Sequence, residues 1–380
     1  MRILIVSTYY PFPPSIGGIE TIVRNVALEL SRRGHNVSIA CSTYDPVTQQ
    51  RVTDIGTEVI EGVRIHKLDS IRLRAGYARI LKNIKQVIST EKPQIIHLHN
   101  IHPPIFQVLR LKDKYGFKTV VEPHHPAVEL EYFSSKVFFP IVIRLLKFFK
   151  GRLDAILTHT EIEYKWFLSR GFDSSILYKI LFPGINKELL RTTYNFDDKN
   201  DTIVYVGRII PRKGLHILID ALRIVKSHGI LFNLIMAGSR SNEYFKVLER
   251  KILENKLENM VIYKGVVSEE EKIDIISKSK VLVLPSLKDY TPNIILEAQA
   301  LGTPVIASNV GAVSELVRPG DTGILVRPGD VEGLARALIN LLSNNELLKR
   351  MSYNAREFAR IHTIDRKVDE LEKLYEELIK

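Results

Sequence analysis

At 380 residues, with 45% hydrophobic and 26% charged residues, the chain is long enough for two domains that each bury a core, and its composition is that of an ordinary soluble globular protein, for which disorder is not the default. The formal charge of +11 and pI near 9.4 ask for an anionic partner: nucleic acid, a membrane surface or an acidic substrate. A single cysteine, Cys41, excludes an internal disulfide, and no apolar run is long enough to span a bilayer, so a cytoplasmic chain is expected, with or without attachment at the inner face of a membrane.

The apolar run that opens the chain ends at Ser7, too soon for a signal peptide, and reads as a buried first strand, Ile3 to Val6. A proline-rich loop with Gly17-Gly18 follows, then Ile19, Ile22, Val23, Val26 and Leu30 at helical spacing. Strand, glycine loop and helix make a Rossmann-like opening. The glycine pair lets backbone approach a ligand closely, but it is not the GxGxxG fingerprint. Further strands are expected at Val37 to Cys41, Val63 to Leu68, Ile95 to His99, Thr119 to Glu122 and Ala155 to Thr158. Helical patterns such as Ile80, Ile84, Val87 and Ile88 separate them, which implies a doubly wound parallel sheet. Ligands then bind beyond the carboxyl ends of the strands.

His97, His99, His102, His124 and His125 invite a metal reading, but no cysteine or carboxylate cluster completes a ligand set. His97 and His99 are read as core or edge histidines and no metal is assigned. His124 and His125 follow a strand end, where either can hydrogen-bond a ligand hydroxyl. Phe138 to Lys150 is apolar around most of a helix, with Lys136, Arg144 and Lys147 able to share one side. A buried crossover helix is the expectation, and a helix lying in a membrane interface the alternative. Arg72, Arg74, Arg79, Lys82 and Lys85 form a second basic cluster, for an anionic acceptor or as a solvated face.

Phe182-Pro183-Gly184 closes the first half, and the polar stretch Thr192 to Asp201 reads as a linker. The pattern restarts with Thr202 to Val206, Gly207-Arg208, Lys213-Gly214 and a helix carrying Leu215, Leu218, Ile219 and Leu222. Arg208 at the strand end and Lys213 at the helix start can face one crevice and neutralise a diphosphate. Strands follow at Leu234 to Ala237, Val261 to Tyr263, Val281 to Leu284, Pro304 to Ala307 and Gly323 to Val326, with a helix at Leu334 to Leu342 and an amphipathic end around Val368, Leu371, Leu374, Tyr375 and Leu378.

The stretch Pro285 to Ser308 carries the densest chemistry. Thr291 is placed to cap a helix with Pro292 in its first turn, which would leave the N–H groups of Asn293, Ile294 and Ile295 pointing at an anion. Asp289 and Glu297 flank that point. Carboxylates repel phosphate but accept hydrogen bonds from hydroxyls, and a ligand with both is a nucleotide sugar.

Gly207-Arg208, Lys213-Gly214, Pro285-Ser286, Glu297-Ala298 and Gly302-Thr303-Pro304-Val305-Ile306, on two Rossmann-like halves, resemble glycosyltransferases of the GT-B fold, and more narrowly the retaining transferases of family 4. The resemblance covers nearly the whole chain. The family's pair of glutamates seven residues apart is represented by Asp289 and Glu297. It implies an α/β fold of two doubly wound domains facing a central cleft: an acceptor domain over about 1–190, a donor domain over about 191–362, and a last helix, about 363–380, packed back on the first. It further implies that Arg208 and Lys213 bind the donor diphosphate, that Glu297 holds the ribose, that Asp289 lies by the donor sugar, and that the N–H groups of Asn293 and Ile294 lie nearby. Gly17 and Gly18 would face the donor, Gly265 and Val266 the base, and His124, or His125 one position on, the transferred sugar. Asp289 departs from the family's glutamate by one methylene.

The expected reaction is hexosyl transfer from a UDP- or GDP-sugar to a hydroxyl of an unknown lipid or glycan acceptor, with retention, no cofactor and no DxD metal motif. A UDP-sugar epimerase of the same fold is the alternative. A nucleic-acid-binding protein is disfavoured, because the basic residues are not interleaved with aromatics in any recognised module.

Overall fold

The structure, a computed structural model, describes residues 1–12, 18–45, 49–73, 79–124, 133–180, 184–192 and 195–380, and the side chains of 133–139 lie outside that description. Gly17, Arg74, His125 and Phe182-Pro183 therefore lie outside the described residues. The chain forms two compact units, 1–184 with 364–380, and 185–363.

In the first unit the strands are β1 (Arg2–Val6), β2 (Asn36–Ser42), β3 (Gly56–Ile60), β4 (Val63–Leu68), a separate hairpin β5 (Ser70–Arg72) and β6 (Arg79–Leu81), then β7 (Ile95–His99), β8 (Lys118–Glu122), β9 (Ala155–Thr158) and β10 (Leu177–Lys179). Their order in the main sheet is β10-β9-β8-β7-β1-β2-β4-β3, parallel except for β3 on β4. Alternate residues of β1 feed two cores. Ile3 and Ile5 pack with the helix Gly18–Arg32 and the final helix Ile364–Ile379, while Leu4 and Val6 pack on the other face with Ile88, Ile105 and Leu146. Apolar residues on both faces of each strand are what a sheet covered on both sides requires.

The second unit holds β11 (Asn200–Val206), β12 (Asn233–Ala237), β13 (Val261–Gly265), β14 (Ser279–Leu284), β15 (Val305–Ser308) and β16 (Gly323–Val326), in the order β13-β12-β11-β14-β15-β16, all parallel. The chain winds outward from β11 through β12 to β13 and then returns to β14 on the other side of β11. The loops after β11 and β14 thus leave the sheet in opposite directions and open a crevice between them. The same reversal occurs between β1 and β7 in the first unit.

Several local expectations change. Ile80 lies on β6, and the following helix starts only at Ile84, after Asn83 in a left-handed conformation. The basic cluster is not one solvated face: Arg79 is buried, 3.6 Å over the Tyr44 ring and donating to Ser70 Oγ, while Lys82 donates to Asp69 and Arg72 is exposed. In the helix Phe133–Phe148, Val142, Ile143 and Leu146 enter the core, but Ile141, Leu145 and Phe148 are exposed beside Arg144 and Lys147. The helix is a core element with an apolar outer stripe, so neither reading of it is complete. No helix among the described residues is long and apolar enough to cross a membrane.

Candidate active site

The crevice between β11 and β14 gathers the cations and carboxylates of the second half. β11 ends at Val206, and Gly207 donates its N–H to Ala237 O while Tyr205 Oη, buried beneath, donates to Arg208 O at 2.7 Å. Arg208 is exposed at that strand end. Gly238, at the end of β12, has φ +134°, and a Cβ there would lie 2.1 Å from Gly207 O, so these two strand ends can pass so closely only with glycine.

Residues Pro211–Lys213 form a 3-10 turn that ends at Gly214 with φ +70°. A Cβ on Gly214 would lie 2.0 Å from Pro285 O, and Leu287 donates its N–H to Arg212 O at 2.9 Å. These contacts seat the turn directly on the end of β14. They bring Lys213 Nζ onto Asp289 Oδ2, which also accepts from Ser286 Oγ at 3.1 Å. Burial works to raise the Asp289 carboxyl, but Lys213, Arg212 and the Ser286 hydroxyl outweigh it and hold Asp289 below its ordinary value. Burial lowers Lys213, against the opposing pull of Asp289.

The helix after this loop begins later than expected. It runs Ile294–Ala300, Thr291 lies outside it, and no side chain caps it. At seven residues it offers only a short dipole, so the cations carry more of any anion site than the helix start does. Glu297 lies in its first turn and pairs with Lys272 Nζ at 2.7 Å, which also meets Glu269 at 2.8 Å. Lys272 had no signal in the sequence, and Ser286 only that of the Pro285-Ser286 pair. Lys272 comes from the helix Glu269–Lys278, where it reads as one more charge on a polar face. Gly265 ends β13 and the exposed Val266 follows it, at the far edge of the same sheet.

In the first unit, His124 follows β8 with φ 59°, a strained setting for a residue with a Cβ. β7 and β8 pair His99 opposite Glu122 and His97 opposite Val120, which gathers a buried cluster. Glu122 Oε1 accepts from Lys367 Nζ at 2.7 Å and lies 2.9 Å from His159 Nε2 and 3.5 Å from His124 Nε2. Its Oε2 is 3.3 Å from His97 Nε2, and His97 Nδ1 is 2.7 Å from Tyr375 Oη. His99 Nδ1 lies 2.8 Å from His124 Nε2. Burial holds His97 and His99 below the ordinary imidazole value, and so neutral near pH 7.

Glu122 is the carboxylate that the sequence reading did not find beside these histidines. His97, His99 and Glu122 bring ligand-type atoms within 4.8 Å of one another, as do Glu122, His124 and His159. The Lys367 ammonium already compensates that carboxylate, and a divalent cation beside it would meet a like charge in a dry interior. The donor set suits an ion pair better than a metal.

Each unit is thus a doubly wound, parallel, Rossmann-like domain with its polar residues collected at the strand ends, an architecture that serves nucleotide ligands. A family model described as "Glycosyltransferase Family 4" matches residues 16–188 and one described as "Glycosyl transferases group 1" matches residues 186–358. The chain belongs to this family of glycosyltransferases. It is 27% identical to an uncharacterized glycosyltransferase of Methanocaldococcus jannaschii, over all of this chain and 99% of that one. Sucrose-phosphate synthase from Thermosynechococcus elongatus superposes with a TM-score of 0.78 at 22% identity, covering 99% of this chain and 98% of that one. HepE of Anabaena in complex with UDP gives 0.77 at 18% identity, covering 99% and 100%. These likenesses establish the GT-B fold.

Proposed function

We propose that this glycosyltransferase moves a hexosyl unit from a UDP- or GDP-sugar to an acceptor hydroxyl, with retention at the anomeric carbon and without a bound metal, in the synthesis of a glycolipid or surface polysaccharide. The observation that carries the reading is the partly buried Lys213 ammonium, seated by Gly214 at the crossover of β11 and β14 with Arg208 at the adjoining strand end. The leaving diphosphate gains charge as the glycosidic bond breaks. Cations fixed where that charge develops lower the barrier, which is the work a metal would otherwise do. In this reading Glu297 accepts from the ribose hydroxyls, Asp289 from the donor sugar, and His124 hydrogen-bonds the transferred sugar. The Asn293 and Ile294 amides lie toward the phosphates, Gly265 and Val266 toward the base, and Gly17 and Gly18 give backbone access. UDP in the Anabaena HepE structure, and UDP-glucose in another structure of that protein, support a nucleotide-sugar donor. Retention rests on the family resemblance.

The exposed stripe of Ile141, Leu145 and Phe148 beside Arg144 and Lys147 favours peripheral attachment to an anionic membrane, which would bring a lipid-linked acceptor within reach. The test of the reaction is nucleotide release from separate UDP-, GDP- and ADP-sugars with acceptor extracts, for wild type and Lys213→Ala. Loss of one electrostatic stabiliser of this kind costs about 10²- to 10³-fold in kcat. Equal release by the two proteins would refute the diphosphate role, and an altered sugar formed without acceptor would favour an epimerase.

A further inference from the structure

Glu122 and Lys367 are both fully buried and lie 245 positions apart in sequence, one at the end of β8 and the other on the final helix. A buried ion pair of this kind is poor value as a source of stability, because removing two charges from water costs about as much as their attraction returns. What this pair does contribute is a fixed negative charge among four imidazoles, those of His97, His99, His124 and His159.

We propose that Glu122, held ionised by Lys367, sets the tautomer of His124, so that the final helix is a positioning element for that histidine. The inference rests on the role given above to His124. His99 Nδ1 and His124 Nε2 are 2.8 Å apart, and with both rings neutral one hydrogen lies between them. A carboxylate draws the hydrogen to the nitrogen nearer to it. Glu122 Oε1 is 3.5 Å from His124 Nε2, whereas His99 Nδ1 is 4.0 Å from Oε2. The hydrogen therefore sits on His124 Nε2, and His124 Nδ1 carries the lone pair. Any hydroxyl that meets His124 at Nδ1 must then donate to it.

The protons of His97 and His159 are set by the same carboxylate. Glu122 Oε2, 3.3 Å from His97 Nε2, can only accept, so the hydrogen of His97 lies on Nε2 and Tyr375 Oη donates to His97 Nδ1. His159 Nε2 donates to Oε1, and Lys367 supplies the charge that keeps the carboxylate ionised. Stacking of the His99 and His124 rings, 5.1 Å apart and 17° from parallel, fixes their mutual orientation. Lys367 Nζ donates to Glu122 Oε1 and acts on the imidazoles through that carboxylate. The polarity of His124 is thus read back to an ammonium on the last helix of the chain.

The experiment is imidazole 15N NMR of the full chain labelled at histidine, with His124 assigned from its absence in His124→Gln. Wild type is expected to show His124 as the Nε2–H tautomer; an Nδ1–H tautomer there overturns the proposal directly, with no variant needed. The double variant Glu122→Gln/Lys367→Met removes both charges without orphaning either, and Trp166 fluorescence reports that the first unit is folded. In that variant the His124 signals are expected to move toward the Nδ1–H form, and kcat to fall by up to about 100-fold with little change in donor KM. Unchanged His124 signals in a folded double variant refute the proposal. Full activity in His124→Gln would instead refute the role of His124 at the sugar and leave the tautomer result standing.

Discussion

Gly214→Ala is the substitution that tests most sharply how the donor crevice is built. Alanine at φ +70° adopts a left-handed conformation that costs roughly 1–2 kcal/mol. Its Cβ would also lie 2.0 Å from Pro285 O, a backbone atom at the end of a buried strand that cannot rotate away. Relieving that overlap means moving the turn Pro211–Lys213 off β14, an overpacking cost of about 1–3 kcal/mol, for a total of about 2–5 kcal/mol. The same movement carries Lys213 away from Asp289 and strains the Leu287 N–H bond to Arg212 O. Gly229→Ala is the internal control. Gly229 has φ +75° but nothing within 4 Å of a built Cβ, so only the conformational cost of about 1–2 kcal/mol applies. Urea unfolding of the two variants and calorimetric titration with UDP and GDP separate strain from damage to the site. If Gly214→Ala is no less stable than Gly229→Ala and binds nucleotide like wild type, the turn does not depend on its close seating and the reasoning fails.

Acid unfolding of the first unit should carry a signature of Glu122. Its folded carboxyl lies well below the ordinary value, because Lys367 and the neighbouring imidazoles outweigh the opposing effect of burial. The group therefore contributes stability that is complete above about pH 4.3, the value in an unfolded chain, and that is lost as pH falls through the lower folded value. Trp166 fluorescence followed in urea from pH 7 to 3 should show this limb in wild type and a flatter one in Glu122→Gln/Lys367→Met; coincident limbs would show that Glu122 is not the controlling group. Flotation with vesicles containing anionic lipid should recover wild type and lose Ile141→Ser/Leu145→Ser/Phe148→Ser, whose side chains are 47%, 40% and 81% exposed, so the substitutions leave the core faces intact. Equal flotation of both would remove the membrane reading.

What the sequence made legible was local and periodic. Strands such as Ile95–His99 and Ala155–Thr158 are continuous apolar runs, because parallel strands are covered on both faces, and such runs stand out without any partner in view. Arg208 and Lys213 stood out because a cation directly after a strand, or directly before a helix, is positioned by the chain itself. The edge strands Gly56–Ile60 and Leu177–Lys179 passed unread: one is largely exposed and the other has three residues, so neither shows a buried run. The helix Asn345–Arg360 also escaped, its apolar positions diluted by charge. Thr291 looked like a cap because threonine before Pro-Asn fits the pattern, yet the chain delays the helix to Ile294, where Ile295 N–H bonds back to Pro292 O. Pairs that sequence cannot bring together were the costliest omissions. Nothing near Glu122 names Lys367, and nothing near Glu297 names Lys272; both pairs exist only because helices far along the chain pack where they do.

The pair Lys213 and Asp289 bears most directly on the proposed chemistry. Asp289 already engages the ammonium assigned to the diphosphate, with Ser286 on the same carboxylate oxygen and the Tyr290 N–H on the other. An ammonium has three hydrogens, so it can bond a carboxylate and phosphate oxygens together. Asp289 thereby fixes the direction of Lys213 and keeps its charge in a buried place where burial alone would lower it. The short side chain matters here, since Asp289 is tied at both oxygens close to its own backbone and has little reach of its own. Its carboxylate is better suited to holding Lys213 than to following a sugar hydroxyl through the reaction. On this reasoning Asp289→Asn should leave the fold intact but free Lys213 to swing. The effect would then appear in kcat, through a misplaced cation in the transition state, more than in donor KM.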